Sequence, residues 1–228
     1  MIKTSDNYLK SGIYNISDLN SEIIIIGENE NVVIVDFENI SGIKKLELLE
    51  NSNLEFYSIY ELSGDYGVEI ITKGNNTNSI INILNLSKET QINLSAIANL
   101  ESNNSTSDIH IISLCGKNGK IKINSGINIT SNTINCSGNI LQENVFLGEI
   151  GKIIGIPALN IETNEAKANH ALKIEKVNEK DLFYLESRGI DRKSATSLIL
   201  DSKINELFTG KIPNYGEHIN NSIERFLK

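Results

Sequence analysis

The chain has 228 residues and a formal net charge of −8, with 39% hydrophobic residues, no tryptophan and two prolines. That length suits one domain with an appendage and can bury a sizeable core, while the acidic balance, with no run of Lys or Arg, argues against nucleic acid or an anionic membrane as the main partner. The longest apolar run, Ile23 to Ile26, is far too short to span a bilayer, the first residues carry no apolar secretory stretch, and Cys115 and Cys136 form neither a C-x-x-C pair nor a disulfide framework, so a cytoplasmic, reduced protein is expected.

Isoleucine dominates the aliphatic residues, and Asn and Ser are abundant. Ile suits a half-buried pleated surface and Asn suits turns, so the composition favours many short strands joined by turns. Residues 1–20 are polar and read as a short lead-in. From residue 21 to about 175 strand follows strand: Glu22–Ile26, Val32–Asp36, Lys45–Leu49, Leu54–Tyr60, Gly67–Thr72, Ser79–Leu84, Gln91–Ala96, Asp108–Leu114, Lys120–Ile123, Ile127–Thr130 and Asn144–Glu149. Lys45-Leu46-Glu47-Leu48 and Lys120-Ile121-Lys122-Ile123 alternate with the period of two that a strand requires, and Gly/Asn clusters such as Gly74-Asn75-Asn76 and Gly116-Lys117-Asn118-Gly119 separate the strands. Such spacing fits a sandwich, a barrel or a solenoid. A parallel β-helix is favoured, with inward Ile and Leu in columns and Asn stacked at corners, although the irregular repeat fixes no coil length.

From residue 176 to 228 the period becomes helical. Asn178 can N-cap a helix whose first turn holds Glu179 and Asp181, with Gly189 placed to end it. Asp191 caps a second helix with Ala195, Leu198, Ile199, Ile204, Leu207 and Phe208 on one face, ended by Gly210 and Pro213. A third runs from about Glu217 to Leu227 with Ile219, Ile223, Phe226 and Leu227 apolar.

Three tracts carry a closer likeness. They are Pro157-Ala158-Leu159-Asn160-Ile161, Glu165-Ala166-Lys167-Ala168-Asn169-His170, and Leu182-Phe183-Tyr184-Leu185-Glu186-Ser187-Arg188-Gly189-Ile190. Their order and spacing resemble the core of the SufB/SufD family, the scaffold subunits of the SUF iron–sulfur assembly machine, whose pattern runs P-x-L-x-I, D-D-V-K-x-S-H-G-A, L-F-Y-L-x-S-R-G-I. The resemblance implies a right-handed parallel β-helix followed by a small helical region, and a chain short for the family that lacks most of its N-terminal helical part.

It further implies that His170 is an iron or Fe–S ligand at a subunit interface, a role neutral imidazole can fill. Glu165 and Lys167 match the acidic-x-Lys pattern ahead of it. Departures point towards the SufD branch or a divergent short form: Ala171 follows the histidine where Gly or Glu is usual, Asn169 and Ala168 precede it, and Gln142 stands where SufB has its key cysteine. With no thiolate cage, a cluster would be transient and shared with a partner. Cys136, just upstream of Gln142, is a weaker candidate ligand, and Cys115 weaker still; a lone cysteine is commonly a small buried hydrophobe. His110 and His218 match no motif.

Leu182, Phe183, Tyr184, Leu185, Arg188, Gly189, Ile190 and Leu198 are the expected partner-binding residues, since the family's helical region docks on SufC, an ABC-type ATPase. These apolar residues could also cap the open end of the solenoid. No phosphate loop or nucleophile–base motif occurs, so a non-catalytic subunit is expected, pairing with a SufB-like subunit or a second copy. The competing readings are a β-helix carbohydrate-active enzyme, for which clustered carboxylates and aromatics are lacking, and a structural solenoid.

Overall fold

The computed structural model describes residues 7–148, 150–208, 212 and 216–228. Gly210 and Pro213, expected to end the second helix, and Glu149, the expected end of a strand, lie outside the described residues.

Strands numbered in chain order fall into two sheets. The first holds β1 (Tyr8–Leu9), β3 (Ile23–Ile26), β5 (Gly42–Leu48), β7 (Gly64–Thr72), β9 (Gln91–Leu100), β11 (Lys120–Ile129), β13 (Lys152–Ile154) and β14 (Ala158–Ile161). The second holds β2 (Gly12–Asn15), β4 (Asn31–Asp36), β6 (Asn53–Tyr60), β8 (Asn78–Ser87), β10 (Thr106–Cys115), β12 (Cys136–Phe146) and β15 (Ala166–Lys176). Each strand pairs in parallel with the strand of its own sheet one coil away, so the chain winds as a β-solenoid. In the second sheet Asn31 faces Asn53, Asn53 faces Asn78, Asn78 faces Thr106 and Thr106 faces Ser137, so successive coils take 22, 25, 28 and 31 residues. Because coil length changes along the chain, no fixed repeat is visible in the sequence.

The strands differ from the sequence expectations in several places: Lys120–Ile123 and Ile127–Thr130 join into the one strand β11, and Ala166–Lys176, not among the expected strands, is the eleven-residue β15. The described part of the lead-in belongs to the solenoid: Tyr8–Leu9 pairs with β3 and Gly12–Asn15 with β4. The segment Cys136–Glu143, which the expected strands leave out, is strand, because β10 pairs with it.

Inward side chains stack in files. One file runs Ile34, Phe56, Ile81, Ile109, Ile140, every member buried. The next position along the strands is more polar, with Asp36, Ser58, Ile83, Ile111 and Gln142 in line. One corner is held by an asparagine ladder. Asn29, Asn51, Asn76, Asn104 and Asn135 all adopt left-handed backbone with φ between 54° and 61°. The Asn side chain tolerates that conformation better than most others do. Nδ2 of each donates to Oδ1 of the Asn one coil below: Asn51 to Asn29 at 3.1 Å, Asn76 to Asn51 and Asn104 to Asn76 at 3.0 Å, Asn135 to Asn104 at 3.2 Å.

The helices α1 (Glu179–Ser187), α2 (Arg192–Phe208) and α3 (Gly216–Leu227) follow β15. Their local signals act as expected. Asn178 accepts from the Lys180 backbone N–H at 3.0 Å, Gly189 takes φ +86° after α1, and Asp191 Oδ1 accepts from the Lys193 and Ser194 N–H groups at 3.1 Å. α2 and α3 do not cap an open end of the stack. They lie along the outer face of the second sheet, where Tyr57, Ile59, Leu84, Leu86, Ile112, Leu114 and Val145 form a second apolar core with Leu200, Ile204, Leu207, Ile219, Ile223 and Phe226. The inward stripe of α2 therefore includes Leu200, while Leu198, expected on that face, is 50% exposed. Among the described residues no helix is long and apolar enough to cross a membrane.

Asn76 tests the corner. Asn76→Ala loses two ladder bonds and forces a Cβ-bearing residue without a compensating amide into left-handed backbone, so it should destabilise by about 2–3 kcal/mol; Asn76→Gly, which accepts that backbone, should cost about half as much. The urea midpoints of the two variants measure the difference, and equal midpoints would show that the backbone conformation carries no part of the cost.

Candidate functional site

The stack stops at β15, and that ending defines the first candidate surface. β15 pairs with β12 at all eleven of its positions, from Ala166 opposite Cys136 to Lys176 opposite Phe146, and it is the last strand of its sheet. Its inward residues are the even-numbered ones. Ala166 and Ala168 pack against the interior, whereas His170, Leu172 and Ile174 are exposed because no further coil covers them. Apolar residues of the same coil are exposed too: Ile154, Ile161 and, at 77%, Ile156.

His170 stands opposite Ile140 and so crowns the apolar file of Ile34, Phe56, Ile81, Ile109 and Ile140. Its Nδ1 lies 2.9 Å from the Pro157 carbonyl oxygen. A carbonyl oxygen only accepts, so Nδ1 carries the proton and donates it. In the neutral ring this leaves the Nε2 lone pair for a metal. A backbone carbonyl fixing one ring nitrogen is the usual outer support of a metal-binding histidine. Pro157 sits in the bend between β13 and β14, so the motif Pro-x-Leu-x-Ile and the histidine meet in space. Glu165 and Lys167 are exposed beside the strand's start.

Cys136 and His170 are not brought together. Cys136 is opposite Ala166, four residues along the strand from position 170, or roughly 13 Å. Its thiol is buried and donates to the Ser102 carbonyl at 3.2 Å. Cys115 is also buried, with Sγ 3.3 Å from the Gly119 carbonyl, and burial pushes its pKa up. Gln142 points into the interior beneath Leu172, with Nε2 3.5 Å from the Gly155 carbonyl. Among the described residues no group of three or more His, Cys, Asp or Glu side chains could hold a metal ion.

The second surface is helical. Leu182 is buried and seats α1 over a cleft of about 380 Å³ lined also by Phe146, Leu147 and Arg192. Phe183 is 72% and Tyr184 56% exposed, with the Arg188 guanidinium 5.0 Å from the Tyr184 ring centre, and Leu198 on α2 is 50% exposed. Leu185 and Ile190 are half-buried, and the Ile190 N–H returns to the Leu185 carbonyl to close the helix end. The expected partner-binding residues thus divide into an anchor, a helix stop and an exposed patch.

A charged group that the sequence did not reveal lies between the two surfaces, on the outer face of the second sheet. Glu143 of β12 accepts from His110 Nε2 at 3.1 Å and Lys173 at 3.2 Å; Lys173 also reaches Glu175 at 3.2 Å, and Glu175 pairs with Lys203 of α2. Burial alone would raise the pKa of Glu143, but the bonds from His110 and Lys173 outweigh it and hold the carboxyl below its ordinary range. Glu175 is likewise held low, burial being overcome by Lys203 and Lys173. Alternation along each strand could have placed these residues on the outer face, but only the register brings three strands' worth of them together.

An open-ended parallel β-solenoid with a helical flank is the class this geometry defines. The chain matches the family model described as SUF system FeS cluster assembly, SufBD core domain, over residues 42–203, more than half its length, and it belongs to that family. It is 27% identical to the iron–sulfur cluster assembly protein SufD of Escherichia coli over 82 residues, 36% of this chain and 19% of that one. It is 25% identical to a SufBD family protein of Staphylococcus epidermidis over 240 aligned positions, 96% of this chain and 50% of that one, and 25% identical to one of Galdieria sulphuraria over 163, covering 70% and 61%. The chain thus spans between about a fifth and three fifths of the length of these relatives.

Two outcomes follow from the burial and the charges. Neither thiol should react with a disulfide reagent such as dithionitrobenzoate in the native protein, and both should react once it is unfolded in urea; rapid native titration would contradict the packing. Glu143 and Glu175, with folded pKa values below the unfolded ones, contribute stability that is full above the unfolded value and lost as pH falls through the folded one. The drop in urea midpoint on going from about pH 6 to about pH 3, across the carboxylate range, should be smaller in the Glu143→Gln/Glu175→Gln double variant than in the wild type.

Proposed function

We propose that this chain is a non-catalytic scaffold subunit of a SUF-type iron–sulfur assembly complex in the cytoplasm. The observation that carries the reading is His170: a histidine ending an apolar file on an uncovered strand, with one ring nitrogen committed to Pro157 and the other left to bind. A surface histidine bonded to a backbone carbonyl is the competing reading, and what favours a ligand is the place of His170 at the end of the file on an uncovered strand, within the family's pattern.

The uncovered edge of β15 offers a row of unpaired backbone groups, which a partner strand satisfies. A SufB-like subunit or a second copy of this chain would pair there and place its own ligand beside His170. The nascent cluster is the cargo of that seam. Fe–S clusters take about four protein ligands, and one imidazole supplies one of them, so this subunit alone holds no cluster. The exposed patch of Phe183, Tyr184 and Leu198 supports docking of a SufC-like ABC ATPase, because an aromatic and aliphatic stripe on a helix pair suits helix-in-groove recognition. ATP chemistry then belongs to that partner, whose movement would expose or rearrange the seam.

Phe183→Ala/Tyr184→Ala should leave the urea midpoint nearly unchanged, since both residues are exposed, and weaken capture of a SufC-like ATPase by about tenfold or more. His170→Ala should keep ATPase capture and abolish cluster assembly in anaerobic iron–sulfide reconstitution with the partner subunits. Wild-type levels of assembly in His170→Ala would remove the proposed role of the imidazole.

A further inference from the structure

Within the second sheet the second apolar core ends at Val145 of β12, with half-buried Val177, just past β15, packed against it. No residue of β15 belongs to it, and beyond Ala168 the inward side chains of β15 are exposed. Between Ala168 and Val177 the last strand therefore has apolar support on neither face. What holds its outer face is charge. Lys173 bonds back to Glu143 on β12, and Glu175 bonds outwards to Lys203 on α2. Lys203 is only 25% exposed, and the helix carrying it packs on β8, with Leu200, Ile204 and Leu207 in the second apolar core.

We propose that the Lys203–Glu175 ion pair is the link by which the helical flank holds the last strand, making Lys203 and Glu175 positioning residues for His170. Three placements make the link more than a surface ion pair. Glu175 and His170 lie on one strand, five residues or roughly 17 Å apart, on opposite faces. Leu198, in the exposed patch, and Lys203 lie on one helix, five residues or roughly 7.5 Å apart along its axis. The other links between the strand and the helices, the packing of Val177 on the second core and the chain's own run into α1, both lie beyond Glu175 at the strand's end. A shift of α2 therefore acts on β15 through this contact, and a strand with one unpaired edge and two weakly held faces responds to it. The part of this that connects docking to the metal seam rests on the function proposed above; the mechanical link itself does not.

Backbone hydrogen exchange of the full chain, read by mass spectrometry, tests the link. Lys203→Gln, a mild change, should speed exchange of the protected β15 amides at least threefold, and Lys203→Glu at least tenfold, with β8 and β10 unchanged. The swap Lys203→Glu/Glu175→Lys should bring β15 back to within about threefold of wild type, which loss of packing alone would not. Carbethoxylation of His170 by diethylpyrocarbonate, resolved from His110 and His218 by peptide mapping, should rise and fall with the same variants. Unchanged β15 exchange in Lys203→Glu, or no recovery in the swap, overturns the proposal. A third arm adds a SufC-like ATPase with ATP. A change in wild-type β15 exchange that Lys203→Gln abolishes while retaining binding supports coupling. Binding without any β15 change overturns coupling, and failure to bind counts against the proposed function while the exchange arms still decide the link.

Discussion

Every backbone bond of a parallel solenoid sheet runs from one coil to the next, so the structure can satisfy itself everywhere except at its ends. That constraint sets the rest of the molecule. It fixes the register, and the register puts like beside like: Ile34, Phe56, Ile81, Ile109 and Ile140 in one file, Asn29 to Asn135 in another. It also leaves β15 with one paired edge and one unpaired, and leaves whatever residue follows Ile140 in the file standing in the open. Around that position the end coil exposes Leu172, Ile174 and Ile156, the kind of edge that a partner strand covers. The residue there is His170, and its ring is oriented by Pro157 of the same coil.

The helical flank answers a different problem. Outward residues at the distal ends of the second sheet's strands, such as Leu84, Leu86, Ile112 and Leu114, are as apolar as the inward ones, and a sheet buried on both faces needs a layer above it. α2 and α3 provide that layer. Phe37 packs edge-on to Phe208 at 6.0 Å and stacks on His218 at 5.4 Å, so the last helices also close over one of the first coils. The helices therefore bind the stack lengthwise, and α1, less deeply seated, keeps Phe183 and Tyr184 outside.

What could be read from the sequence follows from the range of each interaction. Caps are local: Asn178, Gly189 and Asp191 act on groups within three residues, and each was legible. Strand alternation is also local, and most strands could be placed. Register is not local. Coils of 20 to 31 residues share no period, so neither the file beneath His170 nor the meeting of His110, Glu143, Lys173, Glu175 and Lys203 could be foreseen. Short strands such as Tyr8–Leu9 exist only because β3 is there to pair with them. The sequence places Leu198 on one apolar face of α2 with Ala195 and also among the partner-binding residues; the sheet buries Ala195 and Leu200 and leaves Leu198 exposed. The motif around His170 identified the residue from a resemblance; the geometry adds why its ring has one nitrogen to offer.

The two cysteines sharpen the argument about the seam. A subunit built to hold a cluster by itself would bring thiolates to the opening, yet both thiols are turned inwards onto backbone carbonyls, and Cys115 is made a poorer thiolate by burial. A neutral imidazole at the rim is a different kind of donor. It brings no charge into the seam, can be withdrawn without leaving a buried anion, and needs ligands from another chain to complete any cage. On the proposed reading that is an advantage: cargo that must be handed on is better shared between surfaces that can part than enclosed in one. The ion pair between α2 and β15 then matters because it stands where a force on the helices would reach the rim.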